Sequence, residues 1–206
     1  ILRRLHSDSE RVLVPSVSML NELKKYDFKN LVVWNRGVDT ELFNPNKRDT
    51  NSKDRQLTYV GRVAIEKNIE EFLKLKGNYN KIVVGDGPEL EKYTNKYPEV
   101  NFVGLKTGEE LAKYYANADV FVFPSKTDTL GNVILEALAS GTPVAAYPVT
   151  GPIDVLTDEK INTLDNDLLQ SIKKALKVKR VDCRNFTLNL TWDKCVKEFL
   201  EYMVNV

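Results

Sequence analysis

The chain has 206 residues, enough for one full domain and part of another at roughly 150 residues per domain, with room for a sizeable core. Its 30 basic and 29 acidic residues leave a formal net charge of +1, which argues against an overall electrostatic footprint for nucleic acid or an anionic membrane. With 42% hydrophobic residues, 10 glycines and 8 prolines, the composition is that of a globular chain, neither disordered nor fibrous.

From the N-terminus, Val12 to Val14 reads as a strand, Ser16 to Tyr26 as a helix and Leu31 to Trp34 as a second strand, too little to close a domain. The first residue is Ile, so the natural chain is expected to start further upstream. His6, the only histidine, is expected to pack or to sit on the surface. The polar run Asn44 to Gln56 has no large apolar residue and reads as a linker.

Beyond it, apolar bursts recur at Leu57 to Val60, Ile82 to Val84, Phe102 to Val103, Val120 to Phe123 and Val144 to Tyr147. Helical stripes separate or follow them: Ile69, Phe72 and Leu73; Leu111, Tyr114, Tyr115 and Ala118; Leu168, Ile172 and Leu176. Bursts joined by amphipathic helices, not by hairpin turns, predict strands buried on both faces of a parallel sheet. The expected fold class is therefore α/β.

Lys177 to Arg180 reads as the solvated C-terminal end of a helix. Trp192, Val196, Phe199, Leu200 and Met203 form a last apolar stripe that needs a surface to cover, with the leading segment as a candidate. Cys183 and Cys195 have no CxxC partner and read as reduced thiols, without a disulfide framework or zinc site. No run approaches the roughly 18 apolar residues that would span a bilayer, and no secretion signal is visible. The glycosylation-type triplets at Asn185 and Asn189 therefore read as accidental. Asp165-Asn166-Asp167 reads as a helix cap, not a chelating triplet.

The most informative stretch is Pro124 to Pro143. It leaves a strand, crosses a polar loop and enters a helix through Gly131 and Asn132, so the helix's free N–H groups face an anion at the carboxyl edge of the sheet. Asp128 in the loop and Glu136 in the helix suit sugar hydroxyls. On the neighbouring edge, Gly61-Arg62 and Lys67 place two cations beside a small residue, suited to a diphosphate. Gly85-Asp86-Gly87-Pro88 adds a third tight turn. Each of these features alone has an ordinary structural reading; together they outweigh it.

Gly61-Arg62 with Lys67, VVGDGPE from Val83, ADVFVFPS from Ala118 and DTLGNVILEALASGTPV from Asp128 resemble the nucleotide-sugar-binding half of a GT-B retaining glycosyltransferase of family four, group 1. WNRGVDTELFNP from Trp34 and AAYPVTGPIDVL from Ala145 are similar to the subgroup of MgtA-like GDP-mannose-dependent α-mannosyltransferases and sulfoquinovosyltransferases. The resemblance implies a Rossmann-like, doubly wound parallel sheet forming the C-terminal lobe. Residues 1–34 would be a remnant of the N-terminal lobe, 35–56 a linker, 57–190 the donor-binding domain and 191–206 a helix packing back toward the N-terminal lobe.

It also implies roles. The family's two acids, seven residues apart, appear here as Asp128 and Glu136, the first being one methylene shorter. Asp128 would hold the donor sugar's hydroxyls, Glu136 the ribose, and the backbone of Leu130, Gly131, Asn132 and Val133 the diphosphate. Arg62 and Lys67 would carry the leaving group's charge, Gly61 and Gly85 would shape the turns, and Leu105 and Lys106 would lie against the base. No metal or other cofactor is expected. The donor is expected to be GDP-mannose or a UDP-hexose, and the acceptor a lipid or glycan.

The acceptor lobe, absent here, would be supplied in cis or in trans, so the chain alone is expected to bind donor without transferring sugar. The alternatives are a stand-alone nucleotide-sugar-binding module and, more weakly, a nucleotide-sugar epimerase. The expected location is the cytoplasm, with peripheral association at the inner face of a membrane as a further option.

Overall fold

The computed structural model describes residues 2–49, 55–127 and 131–204. A short helix α1 (Leu2–Leu5) precedes strand β1 (Val12–Val14), helix α2 (Val17–Lys24) and strand β2 (Leu31–Val33). β1 and β2 pair in parallel as a two-stranded sheet. Ser16 starts the helix: its backbone is extended and its side-chain oxygen accepts the Met19 N–H at 3.2 Å, satisfying one of the donors a helix leaves unpaired.

The main sheet comprises β3 (Gln56–Val60), β4 (Asn80–Val84), β5 (Asn101–Phe102), β6 (Val120–Phe123) and β7 (Val144–Ala146), in the order β5-β4-β3-β6-β7 and parallel throughout. Between and after these strands run α3 (Ile69–Leu73), α4 (Leu90–Lys96), α5 (Gly108–Asn117), α6 (Asn132–Ala139), α7 (Pro152–Val155), α8 (Leu168–Ala175), α9 (Arg180–Thr187) and α10 (Trp192–Val204). The expected doubly wound α/β architecture is present. One core cluster joins Phe121, Ile134, Leu138 and Tyr115 on one face, and a second joins Leu57, Phe72, Val83 and Ile172 on the other. Strand order reverses between β3 and β6, the switch point at which doubly wound sheets open a crevice beyond their carboxyl ends.

Three details differ from the sequence reading. Gln56, read as the end of a linker, is the buried first residue of β3. The described part of the polar run ahead of it is tied down: Pro45–Lys47 forms a 3-10 turn, Lys47 pairs with Glu109, and Arg48 pairs with Asp119 at 2.6 Å. Arg180, read as solvated, is half-buried at the start of α9. Its guanidinium donates to the carbonyls of Ala118 and Ala116 at 2.7 Å each and to Ser140 O and Thr142 Oγ1 at 3.1 Å. Those carbonyls end α5 and α6, where a cation is favoured.

The third difference concerns α10. Of its apolar stripe, Trp192, Val196, Leu200 and Met203 are 41–60% exposed. The side against the leading segment carries Phe199, the fifth member of that stripe, together with Cys195 and Tyr202. Trp34 Nε1 donates to Cys195 O at 2.9 Å, the Trp34 and Phe199 rings lie 5.3 Å apart, and Arg11 donates to Tyr202 O. At the other end of the segment, Asp154 in α7 accepts from Ser18 N at 3.0 Å and Ser18 Oγ at 2.8 Å.

Candidate functional site

A crevice of about 370 Å³ opens at the carboxyl ends of β3 and β6, within the usual range for a small-molecule site. The turn after β3 supplies one wall. Tyr59 Oη donates to the Arg62 carbonyl at 2.8 Å, folding Gly61 and Arg62 over the strand end. A 3-10 turn over Ile65–Lys67 then carries Lys67 to the same crevice. Asn68 closes that turn in the left-handed region at φ 52°, and its side-chain amide donates to Pro124 O at 3.0 Å. Asn68 thereby fastens the loop after β3 to the loop after β6.

The second wall is the start of α6. Gly131 precedes the helix and among the described residues no side chain caps it, so the first turn at Asn132 and Val133 faces the crevice with N–H groups that the helix itself leaves unpaired. Pro15 and Arg36, from the leading segment, complete the lining. Arg36, Arg62 and Lys67 thus share one hollow with an uncapped helix start, and no carboxylate lines it among the described residues. Glu66 approaches from outside and pairs with Arg62 at 3.4 Å. The arrangement is a receptor for a multiply charged anion.

The structure therefore gathers Gly61, Arg62, Lys67, Gly131, Asn132 and Val133 on one hollow. Gly85, Leu105 and Lys106 do not line it. Gly85 stands behind it, its N–H donating to Gly104 O at 2.9 Å, while Leu105 is exposed and Lys106 pairs with Glu110 at 3.3 Å. Asp128 and Leu130 lie outside the described residues. Of the other residues singled out, Asp167 caps α8 by accepting from Leu169 N at 2.8 Å, and His6 is exposed beside Phe28. Both thiols are free and buried, and burial pushes Cys183 up to about 12.

Glu136 sits one helical turn further along α6, part-buried, accepting from Tyr115 Oη at 2.9 Å. Burial raises its carboxyl above the ordinary value of 4.5 and the Tyr115 hydrogen bond opposes that rise. A raised carboxyl value means that stability is greatest with the acid protonated and declines as pH climbs from about 4.5 through the folded value. Tyr115→Phe removes the opposing donor. It should lower stability at pH 7 by about 1.5–3 kcal/mol and by less at pH 4, as read from urea unfolding at both values. An equal loss at both would exclude an ionised Glu136 as the partner.

Sequence reasoning missed Arg36, Ser125 and Asn68. Arg36 had a signal in its position between Trp34 and Gly37, and Ser125 in following a strand end and a proline. Asn68 gave none beyond being a residue that tolerates the left-handed region.

The profile of the family "Glycosyl transferases group 1" matches residues 41–184. A GDP-mannose-dependent alpha-mannosyltransferase of Corynebacterium glutamicum is 35% identical over 178 residues, 82% of this chain and 43% of that protein. Sulfoquinovosyl transferase SQD2 of Arabidopsis thaliana is 36% identical over 181 residues, 78% of this chain and 35% of that protein. The chain thus spans less than half the length of these relatives. Among solved structures, the sucrose-phosphate synthase of Thermosynechococcus elongatus superposes with a TM-score of 0.87 at 24% identity, covering 99% of this chain and 60% of that one. Anabaena HepE, solved with UDP and glucose, gives 0.77 at 16% identity, covering 96% and 63%. These likenesses show a shared GT-B glycosyltransferase fold. No helix among the described residues is long and apolar enough to cross a membrane.

Proposed function

The chain belongs to the group 1 glycosyl transferases, and from that premise we propose that its crevice binds the diphosphate of a nucleotide-sugar donor as the donor half of a retaining hexosyltransferase. The observation that carries this reading is the convergence of Arg62, Lys67 and the uncapped start of α6 on one hollow at the sheet's switch point. Cleaving the bond between a sugar and a nucleoside diphosphate builds negative charge on the departing phosphate. Fixed cations and N–H groups already aimed at that position stabilise it without reorganising. With the charge met in this way, the proposed transfer needs no metal.

Glu136, steadied by Tyr115, is assigned to the ribose hydroxyls and Asp128 to those of the sugar. The relatives' names favour GDP-mannose as donor, with a UDP-hexose next. An α-product made from an α-linked donor would be a retaining transfer. The acceptor, a lipid or glycan, is assigned to a second lobe in cis or in trans.

Calorimetric titration with GDP, UDP and ADP tests the reading. Arg62→Ala and Lys67→Ala should each weaken the preferred diphosphate about tenfold or more, since a hydrogen bond to a charged group is worth about 1.5–3 kcal/mol. Lys179→Ala should change nothing, and chelating magnesium should leave affinity unaltered. Equal affinity in all three variants would refute the site; robust sugar transfer by the 206-residue chain would refute the division of labour.

A further inference from the structure

Two features of the crevice are unexplained by Arg62, Lys67 and the helix start. The first is Arg36. It lies ahead of residues 41–184, the part that matches the family profile, yet it lines the same hollow. Its guanidinium rests over the Trp34 ring, 5.7 Å from the centroid. Trp34 is in turn held by α10 through the Cys195 carbonyl and the Phe199 ring. A cation stacked on an anchored aromatic is pre-positioned rather than trailing in solvent.

The second is Ser125. It is 2% exposed, lines the hollow at the end of β6, and its hydroxyl has no hydrogen-bond partner. A buried, unmatched hydroxyl is destabilising, and three cations around about 370 Å³ repel one another. One ligand relieves both: an anion with several acceptor oxygens. A neutral sugar brings no countercharge to that repulsion. The diphosphate of the donor reading is an anion of this kind.

Building on the donor reading above, we infer that Arg36 and Ser125 complete a diphosphate subsite, Arg36 closing it from the leading segment and Ser125 donating from its floor. The chain ahead of the family-matched region is thereby part of the binding site. Its fixing residue, Trp34, makes the grip on the diphosphate depend on α10.

The test is titration of the chain and its Arg36→Gln, Ser125→Ala and Arg62→Ala variants with GDP, UDP, GMP and inorganic pyrophosphate, each variant's thermal midpoint being measured alongside. Arg36→Gln should weaken pyrophosphate and the preferred nucleoside diphosphate about fivefold or more, and GMP less. Ser125→Ala should weaken the same two ligands about threefold while its midpoint holds or rises, because the free protein loses an unmatched hydroxyl. A purely structural serine would show a lowered midpoint and unchanged affinity.

Undiminished affinity in both Arg36→Gln and Ser125→Ala, with loss in Arg62→Ala, overturns this inference and leaves the donor reading standing. Pyrophosphate binding that depends on Arg36, with neither GDP nor UDP bound, upholds the subsite and overturns the donor reading. Binding of none of the four ligands overturns both.

Discussion

Gly85→Ala is expected to destabilise the chain by about 2–6 kcal/mol, combining backbone strain with overpacking, and to abolish nucleotide binding although Gly85 touches no part of the crevice. Gly85 adopts φ +144°, and a methyl group there would stand 1.9 Å from the Gly61 carbonyl oxygen and 2.9 Å from its carbon. The obstacle is backbone, so no rotamer change relieves it. The Gly61 N–H is meanwhile bound to Val84 O at 3.0 Å, and the Gly85 N–H to Gly104 O at 2.9 Å. The turns after β3 and β4 therefore cannot separate without losing ladder bonds. Either the sheet edge opens or the Gly61-Arg62 turn moves, taking Arg62 from the hollow.

Gly108→Ala is the matched control. Its φ of +53° lies in the left-handed region that other residues enter at modest cost, and no atom lies within 4 Å of the added methyl, so the loss should be near 1 kcal/mol with binding kept. Thermal midpoints and diphosphate titration distinguish the two variants. A Gly85→Ala protein with the midpoint and affinity of Gly108→Ala would show that the three turns do not interlock.

That interlock explains why the site was partly legible in the sequence. The strands announced themselves because all five residues of β3 and all four of β6 are buried, which requires continuous apolar runs. Gly61 after β3 and Gly85 after β4 marked two of the turns, and cations and a helix entry nearby marked the hollow. What stayed hidden is held by hydrogen bonds from side chains that look like surface residues. The eight residues of α9 bury only Cys183 and Thr187, and their anchors are Arg180 and Arg184. The strap before β3 is held by Lys47 and Arg48. Apolar periodicity carries no trace of such contacts, because a guanidinium reaching buried carbonyls reads as a charge facing water. In α10 the apolar stripe found Phe199, which packs on Trp34, but not Cys195 and Tyr202, whose backbone carbonyls accept from Trp34 and Arg11. Arg36 escaped because its partner in the fold, the start of α6, lies almost a hundred residues away in the chain.

Arg180→Ala carries the other large effect. The guanidinium gathers the ends of two helices: Ala116 O and Ala118 O from α5, Ser140 O and Thr142 Oγ1 from the end of α6 and the turn after it. Arg184 adds Ala139 O at 3.0 Å and Phe43 O at 2.9 Å. Removing Arg180 leaves Ala116 O and Ala118 O with the longer Arg48 bonds of 3.4 and 3.1 Å and takes a charged donor from Ser140 O, and should cost about 2–4 kcal/mol, or roughly 4–16 °C in thermal midpoint at this chain size. Arg180→Lys should recover only part, since one ammonium cannot span four acceptors.

Burial, and then the nearby Arg48 charge, lower the Arg180 value to about 10, with Asp119 opposing. A base whose folded value lies below its unfolded one gains stability only as pH rises from the folded value to the unfolded one, here from about 10 upward. The group is therefore fully charged from pH 6 to 8, and the deficit of Arg180→Ala should be flat across that range. The Tyr115→Phe deficit, by contrast, should shrink toward pH 4. Because α6 presents its opposite end to the crevice, a folded Arg180→Ala protein well below its midpoint should keep near-normal affinity for the proposed diphosphate. Lost affinity in that folded state would mean that the position of α6, and not only its survival, is set from the α9 side.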